Sequence, residues 1–172
     1  RPVEALKVSV AGKVLTEDRA GIVEGLAGDL PPGVFLRRTP LTEGGRALSE
    51  LGAALRAQGG STLDKLHRLT AAIHSRMTFD TCKTGTDTAA SEAFAAGHGV
   101  CQDFAHIFIA VARTIGVPAR YVSGHLYRRD GAVAQEAAHA WAEGWVEHLG
   151  WVGFDPTNGI CADDAYIRVA SG

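Results

Sequence analysis

No stretch of this chain approaches the run of about 18 apolar residues that a membrane-spanning helix requires, and no secretory signal opens it. Neither charge is in excess: 17 Lys and Arg against 19 Asp and Glu leave a net charge of −2. That balance offers no basic surface to nucleic acid and no charge run to a membrane face. Cysteine is scarce and odd in number. Cys82, Cys101 and Cys161 cannot all pair, so at least one thiol is free, and the set fits a reducing, cytoplasmic compartment. There is no Cys-x-x-Cys, no His-Glu-x-x-His and no calcium-loop signature, so no metal site is legible from spacing. Internal repeats and low-complexity segments are also missing. The first residue is Arg1 rather than Met, which reads as a fragment or a processed form, and a removed signal is compatible with it.

What is present suits one globular domain. With 172 residues, 46% hydrophobic and 21% charged, the chain is long and apolar enough to bury a full core. Residues 3–15 alternate loosely through Val8, Val10 and Val14, as a strand or hairpin does. Residues 20–40, with Pro31-Pro32-Gly33, read as a connector. Residues 1–40 are expected to be the tail of a truncated preceding β domain, and residues 41–172 the core domain, whose last strand the chain end cuts short. Thr42 is placed to cap a helix to about Ala57, with Leu48, Leu51 and Leu55 on one face and Gly59-Gly60 beyond its end. Ser61 and Asp64 resemble a capping pair for a second helix to about Arg76, striped by Leu63, Leu66, Leu69 and Ile73. Residues 80–88 form a polar loop, and Thr88 can cap a short helix to Ala96. From Cys101 to Ile115 the apolar residues go nearly all round, which predicts a buried helix. Strands are predicted over 119–127, 137–147, 151–155 and 164–170. Helices first and strands later is an α+β order rather than βαβ.

The most informative stretch is GVCQDFAH, residues 99–106. It places Cys101 at the start of the buried helix, after Gly97 and Gly99. Unpaired N–H groups and the helix dipole favour a thiolate there over a thiol, and the Cys101 N–H is aimed to stabilise an oxyanion. Cys82 and Cys161 fall in loops without such a helix start and read as ordinary thiols. His139 lies on a strand with Trp141, Glu143 and Trp145 on its face and small residues on the other. The small face lets another element pack closely. The large face gives His139 a partly apolar pocket that disfavours imidazolium, as suits a base that accepts a thiol proton or forms an ion pair with the thiolate. Asp155 ends the run before Pro156 and can fix the tautomer of His139. A three-residue turn over residues 148–150 would set Asp155 opposite Glu143, about 13 Å from His139 at ~3.4 Å per residue, too far for a hydrogen bond. The sequence therefore predicts an earlier or wider turn, or a bulge, that brings Asp155 nearly opposite His139.

Together GVCQDFAH, PARYVSGHL, HAWAE and GWVGFDPTNG resemble the transglutaminase-like superfamily in its bacterial branch, in four ordered blocks over about residues 60–160. The resemblance implies a papain-like α+β fold, in which a buried helix starting at the catalytic Cys packs on an antiparallel sheet. It implies a Cys-His-Asp triad of Cys101, His139 and Asp155, and a β domain ahead of the core. His98 stands where Arg or Lys is commoner in the family, and is a candidate for influencing the thiolate or substrate entry. The papain-type oxyanion glutamine, six residues before the cysteine, is Ala95 here, which leaves Gln102 as the candidate second donor. Trp141 is a candidate wall of the acyl site. Asp103 and His106, at i and i+3, are placed to pair and to support the helix. Tyr121, Ser123 and His125 share a strand face that either lines a cleft or meets solvent. Asn158-Gly159 reads as a turn.

These residues are read as a thiol-dependent acyl-transfer enzyme, a peptidase or amidase first and a transglutaminase second, acting on a peptide or protein amide without cofactor or metal. The alternative is a non-catalytic protein- or peptide-binding module on the same fold. A zinc site from His98, Cys101 and His106, or from Cys101, His139 and Asp155, is the remaining class, and the missing zinc spacings count against it.

Overall fold

The computed structural model describes residues 12–25, 30–129 and 138–172. The strand or hairpin expected over 3–15 lies largely outside the described residues, and residues 12–15 have no regular structure. Among the described residues there are four α-helices: α1 (Arg46–Ala57), α2 (Thr62–Arg76), α3 (Ala90–Ala96) and α4 (Cys101–Thr114). Two short strands, β1 (Thr78–Phe79) and β2 (His98–Gly99), pair in parallel. Five more strands form an antiparallel sheet: β3 (Ala119–Leu126), β4 (His139–Val146), β5 (Gly150–Asp155), β6 (Ile160–Cys161) and β7 (Tyr166–Ser171). Their spatial order is β6-β5-β4-β3-β7.

The core follows from the apolar pattern of α4. Every residue from Asp103 to Ala112 is buried, which an all-round apolar helix requires. One side of α4 meets β3 and β4, and the others meet α1, α2 and α3. The sheet can come this close because β4 presents Ala142 and Gly144 to it. A Cβ at Gly144 would lie 2.8 Å from Leu66 Cδ1. On the other face of the sheet, Trp141 packs with Val122, Ala165 and Tyr166 in a separate apolar cluster. Beside them, buried Glu143 is held by Arg120 at 2.6 Å and Arg168 at 2.7 Å. Gly21 to Val23 run along β5, with Val23 N–H donating to Trp151 O and Gly153 N–H to Gly21 O.

Several expected boundaries move. Helix α1 begins at Arg46, not at Thr42, because Gly44-Gly45 separate the two. Thr42 instead ends a 3-10 turn (Pro40–Thr42), where its Oγ1 accepts from Thr39 N–H and Arg113 Nη1. Thr88 does not cap α3. Its hydroxyl oxygen accepts the Gly85 N–H, while Glu92 accepts from Ala89 N–H. Gly97 closes α3 in the left-handed region, at φ 73°, which favours a residue without Cβ. Ser61 and Asp64 cap α2 reciprocally, as expected. Cys161 lies on β6 rather than in a loop, and two-residue strands such as β1, β2 and β6 are too short to show an alternation.

Candidate active site

Cys101 is the first residue of α4, and its neighbourhood is fixed from two sides. The β1/β2 pairing ties Gly97 and Gly99 to the chain leaving α2, through Thr78 N–H to Gly97 O and Asp80 N–H to Gly99 O, each 2.9 Å. Within the helix, Asp103 Oδ2 accepts the Val100 N–H at 2.8 Å and the Thr84 hydroxyl at 2.7 Å. Cys101 is a half-buried residue and a free thiol, and Cys82 and Cys161 are free thiols too.

His139 begins β4 and Asp155 ends β5. The turn between the strands is earlier than the simple one by a residue: Val146 pairs with Gly150 and Ala142 with Phe154. Continuing that register sets Asp155 opposite Trp141, two residues from His139 rather than beside it. The side chains close the remaining gap diagonally, and His139 Nε2 meets Asp155 Oδ2 at 2.6 Å. Cys101 lies close enough to His139 to act on its ionisation.

The electrostatics of His139 correct one expectation. Burial alone does disfavour the imidazolium, as its apolar surroundings suggested. The hydrogen bond to Asp155, the Asp155 charge and the nearby Cys101 outweigh it and raise the pKa to about 9. Asp155 is fully buried, which on its own would raise its pKa. His139, Tyr166 and Asn158 reverse this and hold it below the usual carboxylate range. Asp155 Oδ2 accepts from Tyr166 OH at 2.6 Å and Asn158 Nδ2 at 2.7 Å, and Oδ1 from the N–H groups of Thr157 at 2.8 Å and Asn158 at 3.3 Å.

The other expected site residues are distributed around this centre. Trp141 is buried, stacks on His139 with ring centroids 6.1 Å apart, and meets Tyr166 edge-on at 5.3 Å. Gln102 turns its amide to Thr86 O at 3.2 Å. His98 lies on β2 with a buried Nδ1 that has no partner. Asp103 and His106 do not form the expected pair. Asp103 turns back to cap the helix, while His106 packs against Tyr121 at 5.2 Å, and burial pushes its pKa down. Tyr121 lies within electrostatic reach of Cys101. Burial first, and then the charges of Cys101 and Asp103, push its pKa up to about 12. Burial also raises the Cys161 thiol. Among the described residues, no three His, Cys, Asp or Glu side chains converge as a metal ion would need.

Two partners of Asp155 were missed in the sequence. Asn158 reads locally as a turn residue, although an Asn three residues after an Asp in a turn can fold back onto it. Tyr166 has no local signal, because only the pairing of β7 with β3 brings it near. Both line a cavity of about 540 Å³, together with Leu126, Ile160 and Ala165.

Comparison with known proteins identifies the family of the fold. Residues 49–156 match the sequence profile of the transglutaminase-like superfamily. An uncharacterised protein of Mycobacterium leprae is 41% identical over 93 residues, covering 52% of this chain and 33% of its own. A protein-glutamine gamma-glutamyltransferase of Pseudomonas aeruginosa is 35% identical over 80 residues, covering 43% of this chain and 12% of its own. A Cytophaga hutchinsonii structure described as a candidate cysteine protease superposes with a TM-score of 0.70 at 24% identity, over 91% of this chain and 53% of that one. The periplasmic domain of TgpA from Pseudomonas aeruginosa gives 0.59 at 25% identity, over 74% of this chain and 47% of that one. The chain thus spans about a third of the M. leprae relative and about half of the solved chains.

Proposed function

The chain belongs to the transglutaminase-like superfamily, and from that premise we propose that it is a thiol-dependent acyl-transfer enzyme acting on peptide or protein amides. The observation that carries the reading is the 2.6 Å contact of His139 Nε2 with buried Asp155, beside Cys101 at the start of α4, with the His139 pKa raised to about 9. In the proposed reaction the Cys101 thiolate attacks the amide carbonyl carbon, and the Cys101 N–H at the helix start stabilises the oxyanion. His139 gives its proton to the leaving nitrogen as the C–N bond breaks, leaving a thioester and a free amine. Water then enters, His139 takes one of its protons, and the thiolate leaves as the carboxylic acid forms. Asp155 keeps the imidazole oriented throughout.

Hydrolysis is the primary branch. The similarity to a protein-glutamine gamma-glutamyltransferase favours a second, in which a primary amine replaces water and a new amide forms. Iodoacetamide labelling tests the nucleophile. At about pH 6, Cys101 should alkylate at least tenfold faster than exposed Cys82, and His139→Ala should remove the difference. Mass spectrometry of glutamine-bearing peptides, with and without a labelled amine, separates the two branches, and Cys101→Ala should abolish both. Equal labelling of the thiols with no peptide turnover would refute the proposal and leave a binding module.

A further inference from the structure

Asp155 holds more donors than the orientation of one imidazole requires. Three converge on Oδ2 alone: His139 Nε2 and Tyr166 OH, both at 2.6 Å, and Asn158 Nδ2 at 2.7 Å. A carboxylate oxygen has two lone-pair sites, so these donors compete for the same electron density. The Tyr166 hydroxyl is buried, and its proton goes to the one oxygen that also holds the imidazole. We propose that Tyr166 is a positioning residue that acts through Asp155 to limit how tightly His139 is held, leaving the imidazolium free to give its proton to the leaving group. The inference rests on the thiol mechanism proposed above.

The groups around this contact are few. Asp155 faces His139 from β4, Tyr166 from β7, and Asn158 with the Thr157 N–H from its own turn. His139 faces Cys101 from α4. Asp163 adds a further negative charge near Tyr166, and Arg129 answers it at 3.2 Å. The Tyr166 ring packs edge-on against Trp141 and 5.8 Å from His139, contacts that a phenylalanine retains. Tyr166→Phe therefore removes the hydroxyl, which also accepts from Asn158 Nδ2 at 3.3 Å, and keeps the packing.

With that donor gone, Oδ2 becomes a better acceptor for the imidazolium. The His139 midpoint should rise from near 9 by at least about half a pH unit. Turnover should fall several-fold in kcat with KM unchanged, because only proton release is affected. A tyrosine that merely fills space would move neither quantity.

The test follows the His139 ring by NMR against pH in the 172-residue chain, in the wild type, Tyr166→Phe and Asn158→Ala, with Cys101 alkylation measured in parallel. A raised His139 midpoint in both variants is expected. An unmoved or lowered midpoint in folded Tyr166→Phe overturns the inference. If Tyr166→Phe fails to fold, Asn158→Ala decides, because its amide donates to the same oxygen: a rise supports the inference, and no rise overturns it. The mechanism fails separately. Wild-type Cys101 labelling no faster than Cys82 would refute it, while the His139 titration still reports on Tyr166.

Discussion

Asp103 turns back on its own helix to accept the Val100 N–H at 2.8 Å, one residue before Cys101. The same oxygen takes the Thr84 hydroxyl, so the helix start is pinned to the polar loop before it. Gly99 makes the fit possible. A Cβ there would stand 2.5 Å from Asp103 Oδ2 and 2.8 Å from Asp103 Cβ.

Gly99→Ala should therefore push Asp103 off the Val100 N–H or shift the backbone at Cys101. The expected loss is about 1–3 kcal/mol of stability, from overpacking and a broken cap. Cys101 alkylation should slow several-fold while Cys82 keeps its rate. Urea unfolding and mass-spectrometric labelling rates check the two effects.

Asp155→Asn should damage the site and the fold together. The amide presents an NH₂ group where donors arrive, so at least one of the five hydrogen bonds becomes a clash of donors. A stability loss of about 2–4 kcal/mol is expected, and peptide turnover should fall by roughly two orders of magnitude or more. The His139 midpoint should drop from about 9 toward its ordinary 6.5, readable by NMR.

The two shifted groups set a stability window. The His139 pKa is raised, so its contribution is complete below the ordinary 6.5 and is lost as pH climbs toward about 9. The Asp155 pKa is lowered, so its contribution is present above the ordinary 3.8 and is lost as pH falls through the depressed value. Calorimetric melting temperatures should be highest between these limits. The decline from pH 7 to 9 should be shallower in His139→Ala than in the wild type.

Glu143 offers a contrast away from the sulfur. It is fully buried, and its two oxygens are held by Arg120 and Arg168. Glu143→Ala leaves a buried guanidinium without its counter-charge, and should cost about 3–5 kcal/mol. The ratio of Cys101 to Cys82 alkylation should stay unchanged in protein that remains folded, because Glu143 makes no hydrogen bond to Cys101, His139 or Asp155.

Much of this was legible in the sequence, for reasons that can be located. The all-round apolar pattern from Phe104 to Ile115 identified α4, and the Ser61/Asp64 pair located the start of α2. Placement of His139 on a strand and of Asp155 at a strand end followed from alternation and the Asp-Pro step, although β4 begins at His139 itself. The shifted β4–β5 turn could be demanded from chain geometry, but not the diagonal reach that completes the contact. The raised pKa of His139 was not legible because local sequence shows its apolar neighbours, whereas Cys101 and Asp155 reach it through the fold. Tyr166 was hidden for the same reason, since its position depends on β7 returning beside β3.

Cys101 comes before both of its companions in the chain, and the series is complete only once β4 and β5 have paired. As the polypeptide is synthesised, the sulfur emerges first, the imidazole later and the carboxylate last. An immature chain thus carries an isolated thiol without its proton partner. Whatever reactivity the site possesses therefore depends on the completed sheet.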